Sequence, residues 1–182
     1  MKESQLTELI DGALEVAGEA SNKVLEIYHS EEHKIENKKD GSPVTKADLA
    51  SHQIITRGLA KLRHKIPILS EEGDVQNASD EDLFWLIDPL DGTKEFINRN
   101  GEFTVNIALI KDSSPILGIV FSPAVEENFF GAKNLGAFKI KGAERISISP
   151  SQQTEGECRI TLSKSHKSED DEWFIKNCKK RF

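Results

Sequence analysis

Cysteine is scarce: Cys158 and Cys178 are the only thiols in 182 residues. Their spacing matches neither a zinc pair nor a disulfide framework, so a reducing compartment, the cytoplasm, is the expectation. Long apolar runs are also missing. None approaches the roughly 20 residues that span a bilayer, which argues against a transmembrane segment. The opening residues Met1 to Gln5 are polar and hold no signal-peptide core. Peripheral attachment to a membrane stays open. Positive charge is in short supply as well, with 24 Lys and Arg against 31 Asp and Glu and a formal net charge of -7. A broad polyanion-binding surface needs clustered cations, so a nucleic acid polymer is not the expected partner. A small phosphorylated molecule is compatible with this balance, because bound metals and local N–H groups outweigh overall charge. There is no internal repeat and no low-complexity segment.

What is present is ordinary for a packed domain: 37% hydrophobic and 30% charged residues. Leu6, Ile10, Ala13, Leu14, Ala17, Val24 and Ile27 recur at helical spacing, predicting an amphipathic helix from about Ser4 to Ser30. Glu31 to Gly41 is charged and runs into Asp40-Gly41-Ser42-Pro43, a loop or hairpin signal. Its Lys34, Lys38 and Lys39 read as a solvated face. Thr45-Lys46-Ala47-Asp48 has capping-box form and opens a second helix through Ile54, Ile55, Leu59 and Leu62. Ile66 to Leu69 is a short apolar run before Ser70-Glu71-Glu72-Gly73, and Val75 to Asp82 a polar connector. Strand character then recurs at Phe103–Ile110, Ile116–Phe121, Asn128–Ala132, Gly136–Ile140 and Arg145–Ile148, separated by turn residues. The reading is an antiparallel meander. Arg159 to Ser163 predicts one more strand, and Glu169 to Lys180 a helix.

The stretch that organises the rest is Trp85-Leu86-Ile87-Asp88-Pro89-Leu90-Asp91-Gly92-Thr93-Lys94-Glu95-Phe96. Its apolar start, from Leu83 to Ile87, predicts a buried strand. Pro89 has no N–H for a sheet, so the strand is expected to stop near Asp88. Gly92 permits unusual backbone angles, and Thr93 is placed to cap a short helix. Two carboxylates then converge at a strand's end beside a helix start. Carboxylates hold hard divalent cations, and exposed helix N–H groups hold phosphate. Together they suggest metal-assisted phosphoryl chemistry. Taken without its flanks, Asp-Pro-x-Asp-Gly is an acidic turn.

The flanks decide the matter. The run resembles the signature of the inositol monophosphatase superfamily, W-x-[IV]-D-P-[IL]-D-G-T-x-x-F, at every fixed position. The extension through Ile97 and the segment Asn100 to Ile110 resemble the CysQ-type branch, the 3'(2'),5'-bisphosphate nucleotidases. Pro43 to Asp48 is similar to the superfamily's P-V-T-x-A-D segment, Ser70-Glu71-Glu72 to its S-E-E segment, and Thr161 to His166 to its T-x-S-[RK]-S-H segment. The resemblance implies an α/β (α+β layered) fold: N-terminal helices packed on an antiparallel sheet, with a truncated second α/β domain. Residues 1–150 would form a metal-binding phosphatase domain and 151–182 the start of the second.

It also implies roles. Glu71, Asp88, the carbonyl of Leu90, and Asp91 would be metal ligands for two or three Mg²⁺ ions. Asp48 with Thr93 would activate water. Gly92 and Thr93 would hold phosphate through their N–H groups, beside Glu71, Leu90 and Asp91. Ser163 and His166 would contact a phosphorylated nucleotide. The implied reaction hydrolyses the 3'-phosphate of adenosine 3',5'-bisphosphate, with no covalent intermediate and with lithium sensitivity if the metal site is complete. A homodimer is the assembly suggested by analogy. Alternatives are inositol monophosphatase or sugar bisphosphatase activity, or a non-catalytic remnant that binds metal or nucleotide. The last follows from a departure. The superfamily carries a later W-D-x-A-A-G segment whose Asp is a further ligand, and no Trp-Asp pair occurs in this sequence. The chain is therefore expected to be a truncated member, with an apolar, association-prone face where a second domain would pack.

Overall fold

A computed structural model describes residues 3–30, 35–37, 43–73, 82–150, 161 and 168–178. It divides into two compact units, Met1–Ser149 and Pro150–Phe182. In the first unit, helix α1 (Glu3–His29) follows the predicted periodicity. Leu6, Ile10, Ala13, Ala17, Val24 and Ile27 are all buried, while Leu14 is half-buried. Strands β1 (Ile35–Asn37) and β2 (Pro43–Thr45) pair antiparallel. Helix α2 (Lys46–Lys61) starts at the expected capping box. The Thr45 side chain accepts from the Ala47 N–H, and the Asp48 side chain accepts from the Thr45 N–H. Such a cap contributes about 1 kcal/mol.

The remaining elements build one seven-stranded sheet in chain order. They are β3 (Ile68–Ser70), β4 (Leu83–Asp91), β5 (Thr104–Lys111), β6 (Ser114–Ser122), β7 (Glu127–Ala132), β8 (Gly136–Lys141) and β9 (Glu144–Ile148). A five-residue helix α3 (Thr93–Ile97) follows β4, and a single 3-10 turn (Pro123–Val125) follows β6. From β4 to β9 every pairing is antiparallel. The β3–β4 pair is parallel, so the sheet is mixed rather than wholly antiparallel. An apolar triplet carries no mark of its direction, which is why the sequence did not show this. The parallel register sets Ser70 opposite Ile87, so the Glu71 that follows arrives beside Asp88.

Alternation sorts the strands into two faces. Trp85, Ile87, Val105, Ile107, Leu109, Leu117, Ile119 and Phe121 are buried. α1 lies against β5 and β6, and α2 against β4. Each fully buried large side chain contributes roughly 1.5–3 kcal/mol. The opposite face is also apolar but open: Leu86 is 42% exposed and Val120 40%.

In the second unit, helix α4 (Glu169–Cys178) follows Ser168. The Ser168 N–H and hydroxyl both donate to Asp171 Oδ2, which holds that carboxyl below the usual range. Of the strand expected at Arg159–Ser163, only Thr161 is described, and it belongs to no strand. Ser163, His166, Lys34, Lys38 and Lys39 and most of the Val75–Asp82 connector lie outside the described residues.

Candidate active site

β4 does not stop at Asp88. It runs on to Asp91 through a bulge. Asp88 pairs with Asn106 and Asp91 with Thr104, so three steps along β4 match two along β5. Pro89, which offers no N–H to a ladder, sits in the interruption. The consequence is geometric. In a regular strand, residues three apart point to opposite faces. Asn106 and Thr104 share a face of β5, so the bulge returns Asp91 to the face of Asp88. The Asp91 carboxylate accepts a hydrogen bond from Asn106 Nδ2 at 3.3 Å, and Asp88 Oδ1 accepts from the Leu90 N–H at 3.2 Å.

The turn that follows needs glycine. Gly92 has φ +90, and a Cβ there would sit 2.9 Å from the Glu102 carbonyl oxygen. Gly92, rather than Thr93, is the cap residue of α3. Thr93 is the first helical residue, which turns its hydroxyl back toward the N-terminal segments. Thr93 Oγ1 lies 3.0 Å from Asp48 Oδ1 and 3.2 Å from the Leu90 carbonyl oxygen. Its single hydroxyl hydrogen serves one of these at a time. Asp48 is buried to 1% exposure. Burial raises its pKa, while hydrogen bonds from the Thr45 hydroxyl, the Thr45 N–H and Thr93 oppose the rise.

Glu71 follows β3, with its N–H bonded to the Ile87 carbonyl at 3.2 Å. Asp88 is pushed up to about 7, first by burial and then by the negative charges of Glu71 and Asp91. Two like charges acting on a partly buried carboxyl disfavour its ionised form unless a cation enters. Beside them, Asn106 Oδ1 is buried with no hydrogen-bond partner among the described residues. Glu71, Asp88 and Asn106, with Leu86, Ala108 and Val120, line an open cavity of about 640 Å³. Among the described residues, no three His, Cys, Asp or Glu side chains already close on one point. The donors are nonetheless all hard oxygens, carboxylate and amide, so the set fits Mg²⁺ chemically.

The structure thus brings Asp48, Glu71, Asp88, Leu90, Asp91, Gly92 and Thr93 to one end of the sheet. Ser163 and His166 lie outside the described residues. Three residues not singled out in the sequence also reach this region. Asn106 has been described. Ser51 donates to the Pro89 carbonyl at 2.7 Å, and His52 Nδ1 lies 2.8 Å from Ser70 Oγ. Burial lowers the His52 pKa, partly countered by the charge of Glu72. Their partners are remote in sequence, so no local motif marks them.

Comparison with known proteins places the chain in a family. The model of the inositol monophosphatase family matches residues 5–182. The 3'(2'),5'-bisphosphate nucleotidase CysQ of Escherichia coli (strain K12) is 42% identical over 128 residues, covering 69% of this chain and 52% of the relative. The crystal structure of CysQ from Bacteroides thetaiotaomicron, a bacterial member of the inositol monophosphatase family, superposes with a TM-score of 0.74 at 34% identity, covering 93% of this chain and 68% of that one. The inositol monophosphatase from Anabaena (Nostoc) sp. PCC 7120 gives 0.68 at 29% identity, over 82% and 52% respectively. The chain spans about half the length of the curated relatives it matches. With the bulged acidic strand, the Asp48–Thr93 pair and the family match in agreement, this chain belongs to the inositol monophosphatase family.

Proposed function

We propose that the chain carries the chemistry of a Mg²⁺-dependent phosphomonoesterase of bisphosphate-nucleotidase type. The substrate is adenosine 3',5'-bisphosphate, and the products are AMP and phosphate. The observation that carries this reading is the buried Asp48 bonded to the Thr93 hydroxyl, beside the Glu71, Asp88 and Asp91 carboxylates. The nucleotidase names of the relatives support the substrate class.

In this reading Glu71, Asp88, the Leu90 carbonyl and Asp91 would hold the Mg²⁺ ions. Bound ions supply charge that stabilises both the attacking and the leaving oxygen. Thr93 orients the attacking water. The water gives its proton toward the Thr93 oxygen as the hydroxyl hydrogen moves onto Asp48. A carboxyl whose pKa is raised by burial is the better acceptor for that proton. The water oxygen bonds to phosphorus, the bond to the 3'-oxygen breaks, that oxygen is protonated from solvent, and Asp48 releases its proton back to solvent. The N–H groups of Gly92 and Thr93 hold the phosphate, and Ser163 and His166 contact the nucleotide. Residues 1–150 act as the metal-binding domain and 151–182 as the start of a second. The proposed assembly is a homodimer.

The test is phosphate release by the purified chain from adenosine 3',5'-bisphosphate, inositol monophosphate and a sugar bisphosphate in parallel, with and without Mg²⁺. The expected result is Mg²⁺-dependent release, fastest from the nucleotide. Asp88→Asn is expected to reduce it on the order of 100-fold or more. Fastest release from inositol phosphate would overturn the substrate class. No release from the folded protein would overturn catalysis by this chain and leave a binding remnant.

A further inference from the structure

Helix α2 touches the candidate site through three consecutive positions of one helical face, Asp48, Ser51 and His52. Spacing of i, i+3 and i+4 places them side by side. Each reaches a different segment. Asp48 Oδ1 meets Thr93 Oγ1 at the start of α3, 3.0 Å away. The Ser51 hydroxyl donates to the Pro89 carbonyl at 2.7 Å, inside the bulge between Asp88 and Asp91. His52 Nδ1 is 2.8 Å from Ser70 Oγ, and Ser70 Oγ also accepts the Glu72 N–H at 3.3 Å, so the turn that presents Glu71 is fixed from α2.

We propose that Ser51 and His52 are positioning residues, holding the Asp88–Asp91 segment and the Glu71 turn at a fixed separation. The proposal rests on the reading of these carboxylates as metal ligands for its consequence, but not for its geometry. Ser51 is fully buried, and a hydroxyl at that depth needs a partner. Core solvation alone would be met by any carbonyl in reach, such as that of the preceding helical turn. Ser51 instead binds the carbonyl of Pro89, one of the two residues, Pro89 and Leu90, that the bulge leaves without a partner on β5. A bulge interrupts its ladder and bends the strand. An outside donor to its carbonyl therefore fixes how far apart the two flanking carboxylates stand. His52 does the same for the other acidic segment, through Ser70.

The test uses amide hydrogen exchange on the full 182-residue chain without metal, together with Mn²⁺ binding followed by electron paramagnetic resonance. Ser51→Ala is expected to speed exchange about 5-fold in residues 88–93 and leave residues 70–73 unchanged. His52→Phe, which keeps a ring and removes both nitrogens, should show the reverse pattern. Ser70→Ala combined with His52→Phe should be no worse than Ser70→Ala alone, because the His52–Ser70 link is already lost in that single variant. Each single variant should weaken Mn²⁺ about 10-fold. Ser51→Cys, nearly isosteric with a weaker donor, serves if the alanine variant does not fold. Exchange that is unchanged, or that rises throughout the unit, would overturn the positioning role. Selective exchange in a wild-type chain that binds no Mn²⁺ would confirm the clamp and sink the metal reading.

Discussion

Leu86 and Ile87 are neighbours on β4 and belong to different environments. Ile87 is 2% exposed beneath the helices, and Leu86 is 42% exposed on the other face. The same division runs across the sheet. From Leu86 the register passes through Ala108, Gly118, Gly131 and Ala137 to Ile148, a row of small and aliphatic residues on the open side. Asp88 and Asn106 continue that open face, and the bulge adds Asp91 to it. The covered face supplies the burial that folds the unit. The open face is released from that task and carries the carboxylates, whose mutual repulsion the covered face must outweigh.

This contrast can be broken at five points. Ile87→Ala should cost about 3 kcal/mol in urea unfolding, a transfer and cavity loss with no room to relax. A loss under about 1 kcal/mol would show that the core is not on that face. Gly92→Ala should cost about 2 kcal/mol, because alanine would have to hold a positive φ against the Glu102 carbonyl. Equal stability would mean the turn has another solution.

The third point is pH. The folded Asp88 carboxyl, raised to about 7, binds more protons between about pH 4 and pH 7 than it does unfolded. Stability of the metal-free chain must then fall as pH rises through that window. Burial of Asp48 acts in the same direction. Urea midpoints in chelator at pH 5 and pH 7.5 should differ, and Asp88→Asn should shrink the difference. Identical pH dependence in the two proteins would refute the repulsion. Smallest is Leu86→Ala, expected within about 0.5 kcal/mol of wild type. Val120→Lys, on the same side, should lower concentration-dependent light scattering if that face drives association. A rise in scattering would place the contact elsewhere.

Much of this was legible in the chain itself. The periodicity of α1, the capping box of α2 and the turns of the meander are local signals, and each element formed within a few residues of its expected bounds. The fate of Pro89 was not legible, because a missing N–H ends a strand and permits a bulge equally well. The direction of β3 was hidden for a similar reason: pairing sense belongs to two strands and is written in neither. Ser51, His52 and Asn106 escaped because their partners stand 38, 18 and 15 positions away. The acidic site was found from its motif, and the residues around it needed the fold.

Every neighbour in the seven-stranded sheet is also a neighbour in the chain. During synthesis each new strand therefore meets a partner already made, and no strand waits for one still to come. All the described carboxylates of the site, and Asn106, have been synthesised by the end of β5. Leu117, Ile119 and Phe121 on β6 follow only afterwards. A nascent chain thus gathers its negative charges while the part of the core carried by β6 is still to come. The acidic end of the sheet therefore meets solvent, and any divalent cation in it, before the unit's core is complete.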